Sequence, residues 1–299
     1  MKKFAISASV TPLKEDGSLD RRGLANILER NIRHGLDGVF LLGSMGEWNS
    51  FDDGFKEEYV RVATEIVGGR MKVLAGINAT SPELSLRHLE RYKKYPVDAF
   101  VYMQPGKPCE RDPLESVLRV LDASDRPIYY YYCPPNNGVN LSLEQFATIM
   151  AHPRLAGIKN SASDMWLRRE LVLLKRERGF STLLFEGQEW SVDEALLAGC
   201  DGMVCGMGAL ASRTMAAIAK AAERNDWPEA VRQQEWLIHI FHGVYGPDLG
   251  TVWNGQKYAL MKLGLIASPL TFAQEMSSLD DAAKARIDKF VEEHREELD

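Results

Sequence analysis

Eight short apolar segments, each followed by a stretch with helical spacing, recur from the N-terminus to about residue 225, and this alternation restricts the fold more than any other feature. The strand candidates are Phe4–Val10, Gly38–Gly43, Lys72–Ile77, Ala99–Met103, Pro127–Tyr132, Ala156–Lys159, Thr182–Phe185 and Gly202–Gly206. They are rich in β-branched and aromatic residues, as strands covered on both faces are. Between them Phe55, Tyr59, Val62, Ala63 and Ile66 form one helical stripe, and Leu167, Leu171 and Leu174 another. Asp52 and Ser163 are the expected N-caps, while Gly35, Gly68 and Gly199 are expected to close helices before the next strand. Eight strand–helix units predict a closed parallel (β/α)8 TIM barrel of the α/β class. The competing open, doubly wound sheet would carry a glycine-rich phosphate loop after its first strand. Thr11-Pro12-Leu13-Lys14 stands there instead, with no GxGxxG.

After residue 225 the strand signal stops. Trp227-Pro228 starts a helix, and Gly246-Pro247 and Ser268-Pro269 divide the remainder into about three helical segments. The expectation is a barrel over 1–225 that carries the active site, with a helical extension over 226–299 packed on it. The extension's apolar residues can equally serve a homo-oligomer, a tetramer or a dimer. A length of 299 residues suits this plan, since such barrels take about 250. The formal net charge of −6 argues against nucleic acid as a partner. No apolar run reaches the roughly 20 residues of a membrane span, and Met1-Lys2-Lys3-Phe4 lacks the long apolar core of a signal peptide. Cys109, Cys133, Cys200 and Cys205 form no CxxC pair, which favours reduced thiols in a cytoplasmic protein and removes the usual thiolate zinc sites. His239 and His242 share a helix at i, i+3, but no third ligand is evident, so neither a metal nor a cofactor is expected.

In barrels of this kind the reactive groups sit at the C-terminal ends of strands. Lys159 ends the run Ala156-Gly157-Ile158-Lys159-Asn160. Desolvation there would lower its pKa and make the neutral amine a nucleophile toward ketones. The alternative is a lysine whose head snorkels into water. Gly43-Ser44-Met45-Gly46-Glu47 ends the second strand, where consecutive amides near a helix start favour a carboxylate; a plain tight turn is the alternative. In Tyr129-Tyr130-Tyr131-Tyr132, alternation puts Tyr129 and Tyr131 on one face and Tyr130 and Tyr132 on the other. One pair should point into the barrel toward Lys159, and packing against helices accounts for the other. Gln188, Glu189, Asn160 and Ser161 would make a polar wall for a hydroxylated substrate tail, although Glu189 can instead cap a helix beginning near Trp190. Asn160 also reads as a turn residue and Ser161 as a helix cap. Trp48 and Asn49 would line the mouth, an exposed or core-packed tryptophan being the alternative.

The order and spacing of these motifs resemble the dihydrodipicolinate synthase / N-acetylneuraminate lyase family of class I aldolases. The resemblance rests on Gly43-Ser44-Met45-Gly46-Glu47, on Tyr131 three residues before Pro134 and seven before Gly138, and on Gly157-Ile158-Lys159. It extends from Ala5 to about Met215, including Ser9-Val10-Thr11-Pro12 and Gly199-Cys200-Asp201-Gly202. It implies a Schiff-base lysine at Lys159, a catalytic tyrosine at Tyr131, and a carboxylate-holding pair at Ser44 and Met45, with Ser44 also able to relay protons. Gly187, Glu189, Ser161, Val204 and Asn136 join Ser44 and Met45 as expected substrate-binding residues. The implied substrate is pyruvate or a related 2-oxo acid, possible reactions including cleavage of a 2-keto-3-deoxy sugar acid. Three positions depart from the family pattern. Met45 stands where a second hydroxyl is usual, Met103-Gln104-Pro105-Gly106 lacks the aromatic found after the fourth strand, and Asn136 replaces the synthase's arginine. A dehydratase or deaminase using the same imine, the synthase itself, and a keto-acid-binding barrel without turnover are the alternatives.

Overall fold

A computed structural model describes residues 1–106, 112–273 and 279–298. Its elements run β1 (Phe4–Ala8), α1 (Arg21–His34), β2 (Gly38–Leu41), α2 (Asp53–Val67), β3 (Lys72–Gly76), α3 (Pro82–Tyr92), β4 (Ala99–Tyr102) and α4 (Pro113–Ala123). They continue through β5 (Ile128–Tyr132), α5 (Pro134–Asn137), α6 (Leu143–Met150), β6 (Leu155–Asn160), α7 (Met165–Arg178), β7 (Leu183–Glu186), α8 (Val192–Ala198), β8 (Gly202–Cys205) and α9 (Ser212–Glu223). Four helices follow: α10 (Trp227–Val244), α11 (Val252–Lys262), α12 (Asp281–Glu293) and the single turn α13 (Arg295–Leu298). Each strand pairs in parallel with the next, and β8 pairs with β1 to close an eight-stranded barrel. The predicted (β/α)8 architecture is what the chain adopts.

Side-chain alternation sorts each strand into an inner and an outer face. Ile6, Phe40, Leu74, Val101, Tyr131, Phe185 and Val204 pack inside the barrel. Val39, Leu41, Tyr130, Tyr132 and Ile158 point outward into the layer of helices. The tyrosine run divides as its period requires. Tyr132 meets Phe146 of α6 edge-on at 5.0 Å, and the Tyr130 hydroxyl donates to Gln104, so the outer pair fills the sheet–helix layer. A third cluster joins β8 and α9 to the later helices through Leu237, Ile240, Phe241, Leu260 and Ile287.

Helix ends follow local chemistry. Asp52 caps α2 by accepting from Phe55 N at 2.8 Å, and Gly35, Gly68 and Gly199 each close a helix in the left-handed conformation. Ser163 does not cap α7. Asp164 does, accepting from Leu167 N at 3.0 Å, and neither Ser163 nor Ser161 takes that role. The backbone path decides this, since Asp164 is extended at φ −118° while Ser163 sits at φ 56°, and the carboxylate also favours the helix N-terminus. Sequence spacing also misses the one-turn α5, which Pro134 and Pro135 initiate and Gly138 ends. Cys133, Cys200 and Cys205 are free and buried, while Cys109 lies outside the described residues. No described helix is long and apolar enough to cross a membrane.

Candidate active site

The register that closes the barrel places Tyr131 of β5 beside Lys159 of β6, and Lys159 beside Phe185 of β7. The lysine is 6% exposed, so its stem does not run out along the surface as a snorkelling lysine's would, and its head faces a cavity. Nζ lies 4.2 Å from the centroid of the Tyr131 ring and 5.5 Å from that of Phe40. Among the described residues no acceptor lies within hydrogen-bond reach of it. Desolvation lowers the pKa of this amine, with Glu189 the strongest of the groups that pull it back up. The ring faces can stabilise an ammonium only in part.

Tyr131 is buried, and desolvation pushes its phenol above the ordinary tyrosine value. Its hydroxyl lies 3.5 Å from Ser44 Oγ, which also accepts from Asn136 Nδ2 at 3.2 Å. Asn136 is therefore tied to Ser44, and the short helix α5 delivers it there. The turn that carries Ser44 is built differently from the expectation. Helix α2 begins only at Asp53, so no helix start backs the amides of residues 43–47. The left-handed residues are Leu42 (φ 57°) and Glu47 (φ 55°), not the glycines. Gly46 provides room instead, since a Cβ there would lie 3.0 Å from Leu42 N.

Glu47 is wholly buried and ion-paired with Lys257 of α11. It also accepts from Thr271 Oγ1 at 2.8 Å, Phe272 N at 2.6 Å and Ala273 N at 3.1 Å. One helical turn before Lys257, Trp253 Nε1 donates to the Ser44 carbonyl at 3.1 Å.

On the opposite wall, Glu189 Oε1 accepts from the amides of Gly206 and Met207, the latter at 3.1 Å. It thus caps the 3-10 turn Gly206–Ala209 after β8, and not a helix near Trp190. Burial raises the Glu189 pKa while Lys159 draws it down. Gly206 is small for a reason: a Cβ there would strike Met45 Cγ and stand 2.9 Å from Glu189 Oε1. Gln188 donates to Ser161 O at 3.1 Å and to Ser163 Oγ at 2.5 Å, and the buried Ser161 hydroxyl has no partner among the described residues. Asn160 Oδ1 accepts from Ala162 N at 3.1 Å, the turn role expected of it.

These groups surround a cavity of about 360 Å³. Ser44, Met45, Tyr131, Asn136, Lys159, Ser161, Gly187 and Glu189 all line it, whereas Val204 belongs to the packed barrel interior and does not. Sequence reasoning missed Phe241, Tyr245, Leu249, Val252 and Trp253, which close one side from α10, α11 and the connection between them. No motif or period in that segment marks them. An adjoining hollow of about 640 Å³ shares Ser44, Asn136 and Trp253 and adds Trp48, Asn49 and Ser50, so the two mouth residues lie where expected. Among the described residues no group of three or more His, Cys, Asp or Glu is placed to hold a metal ion.

The dihydrodipicolinate synthetase family model matches residues 2–294. The 4-hydroxy-tetrahydrodipicolinate synthase of Gluconacetobacter diazotrophicus is 26% identical over 268 residues, covering 89% of this chain and 88% of that protein. An uncharacterized DapA-like lyase of Halobacterium salinarum is 28% identical over 288 residues, covering 93% and 90%. The crystal structure of YagE, a prophage protein of the dihydrodipicolinic acid synthase family from E. coli K12 in complex with pyruvate, matches with a TM-score of 0.88. Its identity is 24%, over 99% of each chain, a likeness of fold.

Proposed function

Because the chain belongs to the dihydrodipicolinate synthetase family, whose members include synthases and lyases, we propose that it is a Schiff-base-forming class I aldolase or lyase acting on pyruvate or a related 2-oxo acid. The observation that carries this reading is the buried, hydrogen-bond-free amine of Lys159 against the face of Tyr131. The neutral amine attacks the C2 ketone to give a carbinolamine, and loss of water leaves an iminium. That iminium withdraws electrons from C3. Deprotonation of a C4 hydroxyl then breaks C3–C4, releasing an aldehyde and leaving an enamine. Protonation at C3 and hydrolysis return the amine and pyruvate. Tyr131 carries protons to and from the carbinolamine and the C4 oxygen, in contact with Ser44. Ser44 and the amides of its turn hold the substrate carboxylate, with Met45 as an apolar neighbour.

The outer hollow, with Asn49, Ser50 and Asn136, suits an uncharged hydroxylated tail, and Glu189 and Ser161 line the inner cavity beside Lys159. A 2-keto-3-deoxy sugar acid fits this wall better than a dicarboxylate, because Asn136 offers an amide where bidentate carboxylate binding would need a guanidinium. Residues 226–299 act in this reading as an extension of the barrel over 1–225, since Trp253 completes the site wall. Exposed Trp166 and Leu197 support a homo-oligomer, and the free buried thiols support a cytoplasmic setting.

Borohydride reduction in the presence of pyruvate tests the reading. A mass increase is expected on a peptide containing Lys159, and none in Lys159→Ala. Absence of any adduct with a panel of 2-oxo acids refutes it. Release of pyruvate from 2-keto-3-deoxy acids separates an aldolase from a dehydratase or deaminase.

A further inference from the structure

The turn that carries Ser44 is gripped at both ends by one face of a helix about 210 residues away in sequence. Trp253 and Lys257 are four apart on α11, so they project from the same side. Trp253 donates to the Ser44 carbonyl at 3.1 Å, and that carbonyl also accepts from Glu47 N at 3.0 Å. Lys257 pairs with Glu47, and the loop 271–273 adds three more donors to the same carboxylate. Glu47 itself sits in the left-handed region at φ 55°, a conformation a non-glycine residue keeps only when its surroundings hold it. Neither Glu47 nor Lys257 lines the inner cavity beside Lys159, although Glu47 borders the outer hollow, where its carboxylate is taken up by its own donors. Their fully buried charges therefore serve a purpose other than direct contact with a substrate at the lysine, and a buried ion pair is in itself weak evidence for stability.

We propose that α11 and the loop after it form a clamp that sets the position of Ser44 for the substrate carboxylate, with Glu47, Lys257 and Trp253 as positioning residues. The proposal rests on the reading of Ser44 as a carboxylate-holding group. Charge-assisted hydrogen bonds hold the far end of the turn and the indole N–H holds the near end. Release of either end lets the Ser44 hydroxyl and its flanking amides drift from the place where an anion would sit, while Lys159, on another strand, keeps its surroundings.

The test is the pyruvate dependence of borohydride trapping at Lys159 in the full chain. Trp253→Phe removes the indole N–H together with one ring of the wall, and keeps an aromatic side chain there. Glu47→Leu combined with Lys257→Met replaces the buried pair by apolar groups of similar volume, and it also withdraws the acceptor from Thr271 Oγ1, Phe272 N and Ala273 N, so its folding is checked first. Each variant is expected to reach the wild-type trapping rate at saturation but to need about tenfold more pyruvate for half of it. A half-saturating concentration within twofold of wild type in both variants overturns the clamp. So does a fall in the maximal rate at unchanged half-saturation, which would place the effect on the lysine. If the double variant does not fold, Trp253→Phe decides alone. Failure of the wild-type chain to trap pyruvate would instead count against the proposed imine chemistry, so the two failures are distinguishable.

Discussion

Gly187 follows β7 and faces Lys159, and the Gly187→Ala substitution separates packing from chemistry there. A Cβ at this position would overlap the Ser161 hydroxyl and stand 2.9 Å from Lys159 Cε and 3.0 Å from the Asn160 carbonyl. Ordinary contact begins at 3.4 Å, so Lys159 Cε has to retreat by about 0.5 Å (3.4 − 2.9). Overpacking of this kind costs about 1–3 kcal/mol, read from urea unfolding. A misplacement of about 1 Å at a reacting group costs about 100-fold, so half of that should slow borohydride trapping of pyruvate by about tenfold. Adding Ser161→Ala removes the nearest atom, and it should recover most of the stability while leaving the rate low. Wild-type trapping in Gly187→Ala would refute the placement of Lys159 against this glycine. Recovery of both stability and rate in the double variant would show that Ser161, and not the lysine, had been displaced.

The Lys159 amine, with its pKa lowered by burial, should give a trapping rate that rises with pH to a plateau whose midpoint lies below 10.5; a midpoint at or above that value contradicts the burial argument. The same shift is a stability statement. In the window below 10.5 the unfolded chain binds more protons, so the cost of burying Lys159 is full below its folded pKa and fades as pH rises. Lys159→Met should therefore stabilise the fold at pH 7 and lose that advantage above pH ~10.5, which denaturation at two pH values checks. Tyr131→Phe keeps the ring under the amine but removes the hydroxyl, and pyruvate release from a cleavable substrate should fall by about 10²- to 10⁴-fold; an unchanged rate removes Tyr131 as the proton carrier. Arg168 and Glu186, 9% and 5% exposed, form a 2.8 Å ion pair outside the barrel. Arg168→Ala leaves that carboxylate uncompensated and should cost about 3–5 kcal/mol in urea without altering the trapping rate per folded molecule.

The barrel was legible because its signal is local and repeated. Period-two alternation splits each strand into two faces, and so Tyr129 and Tyr131 could be separated from Tyr130 and Tyr132 without any long-range information, while which pair turns inward is set by how the sheet closes. Caps were legible in part. Asp52 stands alone before its helix, but residues 161–164 offer Ser161, Ser163 and Asp164 in close succession, and only the backbone path selects Asp164. Ser163 is instead held at φ 56° with its hydroxyl turned to Gln188.

The candidate site was legible as far as strand ends reach and no farther. Lys159, Tyr131 and Ser44 each sit where a strand stops, so the fold alone brings them to one rim. Trp253 and Lys257 sit mid-helix in a segment whose composition is that of any packed helix, and their partners lie 209 and 210 residues away. Glu47 illustrates the limit from the other side. Its place in the turn invites a reading as a solvent-facing acidic residue, yet it is the most enclosed carboxylate in the neighbourhood, because a lysine, a hydroxyl and two amides from the C-terminal part converge on it. Burial of a charge depends on what arrives from elsewhere in the chain, and no local pattern encodes that arrival. It follows that Met45 cannot be judged from its loss of a hydroxyl alone. Its side chain packs against Gly206, whose amide holds Glu189, so the thioether forms part of the wall that places the acidic group nearest in influence to the lysine. A hydroxyl at position 45 would be smaller there, and it would add a donor beside a carboxylate that the two amides already partner.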